Sequence, residues 1–177
     1  EAGANVFISS RSADELKAAA KEIQDAGGPS VKVAWKVADM TKRSEITTLA
    51  DAATKEFGKI DILVNNAGSN TPQVIDEIKD ADWDRIIELN LTSCMALTRA
   101  VVPQMKARKW GRIIYISSIM GLVSKSGRNA YSATKSAVIG LARANALDLG
   151  RHNITCNAIA PGPFLTDLPA TVLSKAE

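Results

Sequence analysis

Residues 112–159 read RIIYISSIMGLVSKSGRNAYSATKSAVIGLARANALDLGRHNITCNAI. RIIYIS at one end and ITCNAI at the other are short apolar runs of strand type, while Tyr131 to Leu149 between them carries the small and aliphatic residues of a helix. Strand, helix and strand in that order predict two parallel strands joined by a right-handed crossover. A parallel sheet is covered by its own crossover helices, so its strands read as continuous apolar runs rather than as alternating ones.

The same alternation extends upstream. Val6 to Ser9 predicts a buried strand, followed by a helix from Ser12 to Ala26 with Ser12 as its N-cap, Leu16, Ala19, Ala20 and Ile23 on one face, and Gly27 and Gly28 as its stop. Val31 to Val37 is the next strand, Ser44 to Phe57 the next helix, and Ile60 to Val64 the third strand. Helices near Ala81 to Leu89 and from Leu91 to Arg108 follow, with Pro103 predicting a kink or an early stop in the second. The pattern is that of a doubly wound α/β domain with a parallel sheet, and without an internal repeat or linker it predicts a single domain over residues 1–177. In such sheets ligands bind beyond the carboxyl ends of the strands. Asp39, the turn Asn65 to Gly68, Ser117 with Ser118, and Pro161 to Thr166 all follow a strand and should converge on one rim.

Bulk properties narrow the function classes. The chain of 177 residues is 46% hydrophobic and 23% charged, with a formal net charge of +3 spread along its length. No block of like charge interleaved with aromatics points to nucleic acid. No apolar run reaches the roughly 18 residues of a membrane helix, and "EAGANVFISS" has no signal-peptide plan. Cys94 and Cys156 fall in segments read as buried helix and buried strand, predicting reduced core thiols and a cytoplasmic protein. The single histidine, His152, lies in a polar turn and gives no metal-ligand spacing.

The residues that carry chemistry are Ser118, Tyr131 and Lys135. Tyrosine and lysine four apart on a helix can be a half-buried ring beside a solvated charge, and a strand-end serine often satisfies a turn. As a set they do more: an ammonium beside a phenol favours the phenolate and makes Tyr131 usable as a general acid or base near neutral pH. Such a lysine must keep its charge, which suits a partly polar cleft. Ser118 can hold a substrate carbonyl or alcohol oxygen next to the phenol.

This set resembles the short-chain dehydrogenase/reductase family, whose Y-x-x-x-K pattern with an upstream serine is matched by Tyr131, Lys135 and Ser118. NNAG at Asn65 to Gly68 resembles the family's turn after a central strand, ELNLTS places Asn90 at the catalytic asparagine, and APGPFLT at Ala160 to Thr166 resembles its P-G-x-x-x-T cofactor segment. The resemblance implies that Tyr131 exchanges a proton with a carbonyl or alcohol, Lys135 assists it and binds the nicotinamide ribose, Ser118 orients the substrate oxygen, and Asn90 holds a water of a proton relay. It further implies cofactor contacts from Asn65, Ala67 and Gly68, from Asp39 to the adenine, and from Pro161, Gly162, Phe164 and Thr166, with Thr166 on the carboxamide. Ser10 stands where the family places an acid that selects the cofactor lacking a 2'-phosphate, and Arg11 follows it. That exchange predicts NADP(H), with NAD(H) as the alternative.

Within the family, the chain resembles the ketoacyl-carrier-protein reductases and the gluconate 5-dehydrogenase-like sugar dehydrogenases. A carrier protein would need a basic landing strip, for which Lys106, Arg108, Lys109, Arg151 and His152 are candidates. A pocket near Asn70, Met120 and Pro163 is expected to receive a small carbonyl or alcohol. A dinucleotide-binding sensor without turnover is the alternative from another class. The two long helices, with Ala133, Ala137, Gly140 and Ala144, fit a homotetramer. The family's TGxxxGxG turn is not in the sequence, since "EAGANVF" resembles the end of the helix that follows it, and "LPATVLSKAE" stands where a substrate-covering helix is expected. The protein is therefore expected to extend in both directions, because otherwise a central strand position would stand empty.

Overall fold

The computed structural model describes residues 3–163. Its strands are β1 (Val6–Ser10), β2 (Val33–Val37), β3 (Ile62–Asn65), β4 (Gly111–Ile116) and β5 (Ile154–Ile159), and every pairing is parallel. The helices are α1 (Ala13–Gly27), α2 (Arg43–Phe57), α3 (Asp80–Ile87), α4 (Ser93–Arg108) and α5 (Asn129–Leu149). The strands form two ladders, β1 with β2, and β3 with β4 and β5 in that order. One flank of β3 thus has no strand partner among the described residues, and Ile62 and Val64, which share one face of the strand, are exposed.

Local chemistry explains most boundaries. Ser12 caps α1 by accepting from the Glu15 N–H at 3.3 Å, as its position predicts. Gly58 ends α2 in the left-handed region at φ 75°, where a side chain would be strained. The expected gap between the Ala81–Leu89 and Leu91–Arg108 helices is instead a π-helical turn, Glu88–Thr92, that joins α3 to α4 without a break. There the Ser93 N–H reaches back to Glu88 O, leaving the Leu89 carbonyl to the Ser93 hydroxyl at 2.6 Å and the Asn90 carbonyl to Cys94 Sγ at 3.3 Å. Pro103 lies inside α4, which continues to Arg108, so it makes no early stop.

The main core packs α4 and α5 against β3, β4 and β5. Val101, Met105, Ile113, Tyr115, Val138 and Ile154 are fully buried in it, and Cys94 and Cys156 join them as free thiols. Each such apolar side chain contributes about 1.5–3 kcal/mol by leaving water. One polar network crosses this core. The Tyr115 hydroxyl lies 2.9 Å from Thr98 Oγ1 and accepts from Asn145 Nδ2 at 2.6 Å, and Thr98 Oγ1 also accepts from Asn65 Nδ2 at 3.1 Å.

Burial pushes the Tyr115 hydroxyl up to about 12. Replacing it, Tyr115→Phe, leaves Thr98 and Asn145 short of a partner and should cost about 1–3 kcal/mol in chemical denaturation. The sign of the pH effect follows from the raised value. The stabilisation is fully present below the unfolded tyrosine value near 10 and is lost as pH rises through about 12. Wild type should therefore approach the variant's stability over that window; parallel pH curves would refute the rise that burial gives the Tyr115 hydroxyl.

Candidate active site

Two rims of the parallel ladders meet the functional residues. At the first, the ends of β1, β2 and β3 enclose a cleft of about 760 Å³ whose walls include Ser10, Arg11, Asp39, Ala67 and Gly68. These are five of the residues expected to hold a cofactor. Thr41 donates to Asp39 Oδ1 from its N–H at 2.9 Å and its hydroxyl at 2.8 Å, which holds the Asp39 carboxyl below the usual carboxylate range. An ionised acceptor therefore faces the cleft at neutral pH. Ser10 Oγ accepts from the Ser12 N–H at 3.1 Å and donates to Glu15 Oε2 at 3.3 Å. Glu15 thus brings a carboxylate beside Ser10 that the sequence reading passed over, because it belongs to the following helix. Arg11 is exposed at the cleft.

Gly68 marks a close approach. A Cβ there would stand 3.4 Å from both Asn90 Oδ1 and Lys135 Nζ, so this turn lies directly against the catalytic candidates. An acidic acceptor, an exposed guanidinium and a side-chain-free turn around one polar cleft fit the adenosine half of a dinucleotide. Asn65 is placed differently: its amide is spent on Thr98 inside the core and ties the end of β3 to α4. Phe164 and Thr166 lie outside the described residues, whereas Pro161 accepts from the Ile119 N–H at 2.8 Å and so fixes the start of its segment beside Ser118.

At the second rim, Ser118 follows β4 in extended conformation and caps the short turn Ile119–Gly121 by accepting from the Met120 N–H at 3.1 Å. Its hydroxyl proton remains free to donate, so the turn-stabilising and oxygen-holding roles are compatible. The turn is seated on α5. Gly121 O accepts from Ser136 Oγ at 2.8 Å, and a Cβ on Gly121 would come within 2.7 Å of Lys135 O and Ser117 Oγ. Only glycine permits that contact. Ser117, buried, donates to Lys135 O at 2.7 Å and Ser124 meets Ser132 at 2.8 Å, so the strand end and loop are pinned to the helix that carries Tyr131.

Lys135 is buried rather than set in the open polar cleft expected of it. Its Nζ donates to Ile116 O at 2.7 Å and lies 5.6 Å from the centre of the Tyr131 ring. Burial lowers the Lys135 pKa from its ordinary value. Asn90 is also buried, on the π-helical turn. Its Oδ1 accepts from the Ser69 N–H at 2.9 Å, and its Nδ2 donates to Ser69 O at 2.9 Å and to Thr134 Oγ1 at 3.1 Å. Thr134 donates to Tyr131 O at 2.9 Å. Thr134 and Ser69 thus complete a chain from the turn after β3 to the helix of Tyr131. Neither is conspicuous in sequence, since both look like ordinary small polar residues.

The basic residues considered as a landing strip lie elsewhere. Lys106, Arg108 and Lys109 precede β4, and Arg151 and His152 precede β5, so they stand at the amino ends of parallel strands whose carboxyl ends carry the site. A six-residue strand puts about 20 Å between them. Arg108 is moreover engaged with Ile60 O at 2.7 Å and with Asp61. A separate groove of about 810 Å³ runs along α4 and α5 near Arg99, Lys106 and Leu147. It is remote from Tyr131.

Comparison with known proteins agrees with this geometry. The chain is 41% identical over 167 residues to the D-beta-hydroxybutyrate dehydrogenase of Cupriavidus necator, covering 94% of this chain and 63% of that protein. A gluconate 5-dehydrogenase from Burkholderia cenocepacia, solved in complex with NADP and tartrate, superposes with a TM-score of 0.87 at 31% identity, over 96% of this chain and 66% of that one. A 7 alpha-hydroxysteroid dehydrogenase complexed with NADH and 7-oxo glycochenodeoxycholic acid gives a TM-score of 0.91 at 37% identity, over 97% and 66%. The chain therefore spans less than two thirds of the hydroxybutyrate dehydrogenase's length. The family model described as short chain dehydrogenase matches residues 1–177, and the chain belongs to that family.

Proposed function

We propose that the whole protein is an NADP(H)-dependent oxidoreductase that interconverts a ketone and a secondary alcohol, with Tyr131 as the group that exchanges the proton. The observation that carries this reading is the placement of buried Lys135, with Nζ 5.6 Å from the Tyr131 ring and anchored on Ile116 O, on the helix face that also meets the Ser118 turn. A packing or sensing role has no use for a buried ammonium beside a phenol, given what its desolvation costs.

Ser10, Arg11, Asp39, Ala67 and Gly68 would hold the adenosine half of the dinucleotide, with Pro161, Gly162, Phe164 and Thr166 serving the nicotinamide half. The bound dinucleotide supplies or accepts the hydride. Ser118 donates its free hydroxyl proton to the substrate oxygen and orients it. Tyr131 gives its phenolic proton to that oxygen during reduction and takes it back during oxidation. Lys135 places positive charge where negative charge develops on the phenol oxygen. Asn90 holds the Ser69 turn and, through Thr134, the first turn of α5 in mutual register, which keeps these groups within reach of one another.

The cofactor preference rests on Arg11. A guanidinium with a free fork favours a 2'-phosphate, while Glu15 beside Ser10 works against it. Arg11→Ala should weaken NADPH binding about 10- to 100-fold in fluorescence titration and leave NADH binding nearly unchanged. Equal losses for both would assign Arg11 to the fold. The groove along α4 and α5, where Leu147 is 86% exposed, supports assembly into a homotetramer. The direct test of the function is NADPH binding to the whole protein followed by turnover on a ketone panel that includes an acetoacetyl thioester and 5-ketogluconate. Binding without turnover on any ketone would favour a sensor.

A further inference from the structure

The loops above the proton-exchanging group contain two buried polar atoms without a hydrogen-bond partner, Arg128 Nη1 and Asn70 Oδ1. Arg128 is 7% exposed and forms no ion pair among the described residues. Burying a guanidinium without a counter-anion is expensive, so its persistence at this place calls for an anion supplied from outside the described residues.

Position decides what that anion belongs to. Arg128 immediately precedes α5, and its carbonyl accepts from the Ser132 N–H at 2.7 Å, so it is already in helical register. Arg128, Tyr131 and Lys135 follow one another at spacings of three and four residues and share one face of the helix. The segment containing Asn70 is held against them at both ends. Ser69 is clamped by Asn90 at 2.9 Å, while Gln73 donates to Gly127 O at 3.0 Å, forms a bridge with Arg128, and accepts from Asn129 Nδ2 at 3.0 Å. The nearby carboxylate of Asp82 is taken by Gln73 at 3.0 Å and by Arg85 at 3.7 Å. Arg128 Nη1 is thus left buried and without a partner one helical turn before Tyr131.

We propose that Arg128 anchors a carboxylate of the substrate, so that the compound interconverted is a free oxo acid and its hydroxy acid. The inference rests on the oxidoreductase reading above and names its substrate class. The guanidinium fork matches the two oxygens of a carboxylate, and a single cation balances a single negative charge. Asn70, whose Oδ1 is the other buried atom without a partner, presents an amide that can accept from a substrate hydroxyl or, turned over, donate to the carboxylate. A thioester on a carrier protein offers no free carboxylate for Arg128, and the basic residues suited to such a carrier lie on the opposite rim.

The test compares 3-oxobutanoate with its methyl ester, at saturating NADPH, on the whole wild-type protein, Arg128→Met and Arg128→Lys. Wild type should prefer the acid, and in Arg128→Met the acid-to-ester ratio of kcat/KM should fall about 10- to 100-fold, mainly through KM, with partial recovery in Arg128→Lys. Titration with malonate in the presence of NADP⁺ reads the same anchor without turnover: binding to wild type should be lost in Arg128→Met. Equal treatment of acid and ester by wild type, together with malonate binding that is absent or indifferent to residue 128, would make Arg128 a structural residue and overturn the proposal. Malonate binding that depends on Arg128, with no ketone turned over, would uphold the anion anchor and defeat the oxidoreductase reading alone.

Discussion

Tyr131→Phe should lower turnover on any accepted ketone by about 10²- to 10⁴-fold while NADPH binding is kept. The substitution removes one oxygen atom and leaves the ring, which lies 5.6 Å from Lys135 Nζ. Nothing else in the site depends on that oxygen. Lys135 is anchored by Ile116 O at 2.7 Å, and Thr134 bonds the main-chain carbonyl of residue 131, which phenylalanine retains. Folding stability should therefore change by less than about 1 kcal/mol, as for a surface-facing polar trim. Steady-state rates from nicotinamide absorbance, paired with a fluorescence titration of the same sample, separate the two effects. Turnover within tenfold of wild type would remove Tyr131 from the proton-exchanging role; loss of NADPH binding in step with turnover would make it a cofactor residue.

The reading of the chain as parallel strands with crossovers needed only the apolar runs and the helices between them, because burial on both faces writes a continuous pattern into a strand. Ser118, Tyr131 and Lys135 were legible for a different reason: helical spacing sets the phenol and the ammonium one turn apart, and the serine ahead of them completes the pattern that resembles the family's. What could not be read was how each polar side chain is spent. Asn65 resembles a cofactor contact in sequence, yet its amide closes a core network with Thr98 and Tyr115, since register between β3 and α4 is a tertiary property. The helical pattern on either side of Asn90 predicted two helices, because a π-helical turn differs from an interruption by a single extra residue that hydrophobic spacing does not resolve. Arg128 belongs to none of the motifs, and it is buried beside a bridge with Gln73, distant in sequence.

Asn90→Leu carries the largest expected cost to stability, because one buried amide makes three hydrogen bonds. Leucine nearly preserves the volume and removes all three. The Ser69 N–H and carbonyl then lack their partner in a half-buried turn that water reaches only in part, and Thr134 loses a donor. At about 1–3 kcal/mol for each deserted buried group, discounted for partial solvation, the loss should be about 3 kcal/mol. For a domain of this size that is a fall of about 6–12 °C in Tm. Turnover should fall with it, even at temperatures where the variant remains folded, since the Gly68–Ser69 turn and the first turn of α5 are no longer held in register and a displacement of about 1 Å can cost about 100-fold in rate. Thermal melts and rates measured on the same preparations decide between two roles for the residue. A lowered Tm with a lowered rate is the signature of the clamp seen in the structure. An unchanged Tm with a lost rate would refute the clamp and return Asn90 to the water-holding relay that the family resemblance suggested, because a relay contributes to proton transfer and leaves the folded state's hydrogen bonds untouched.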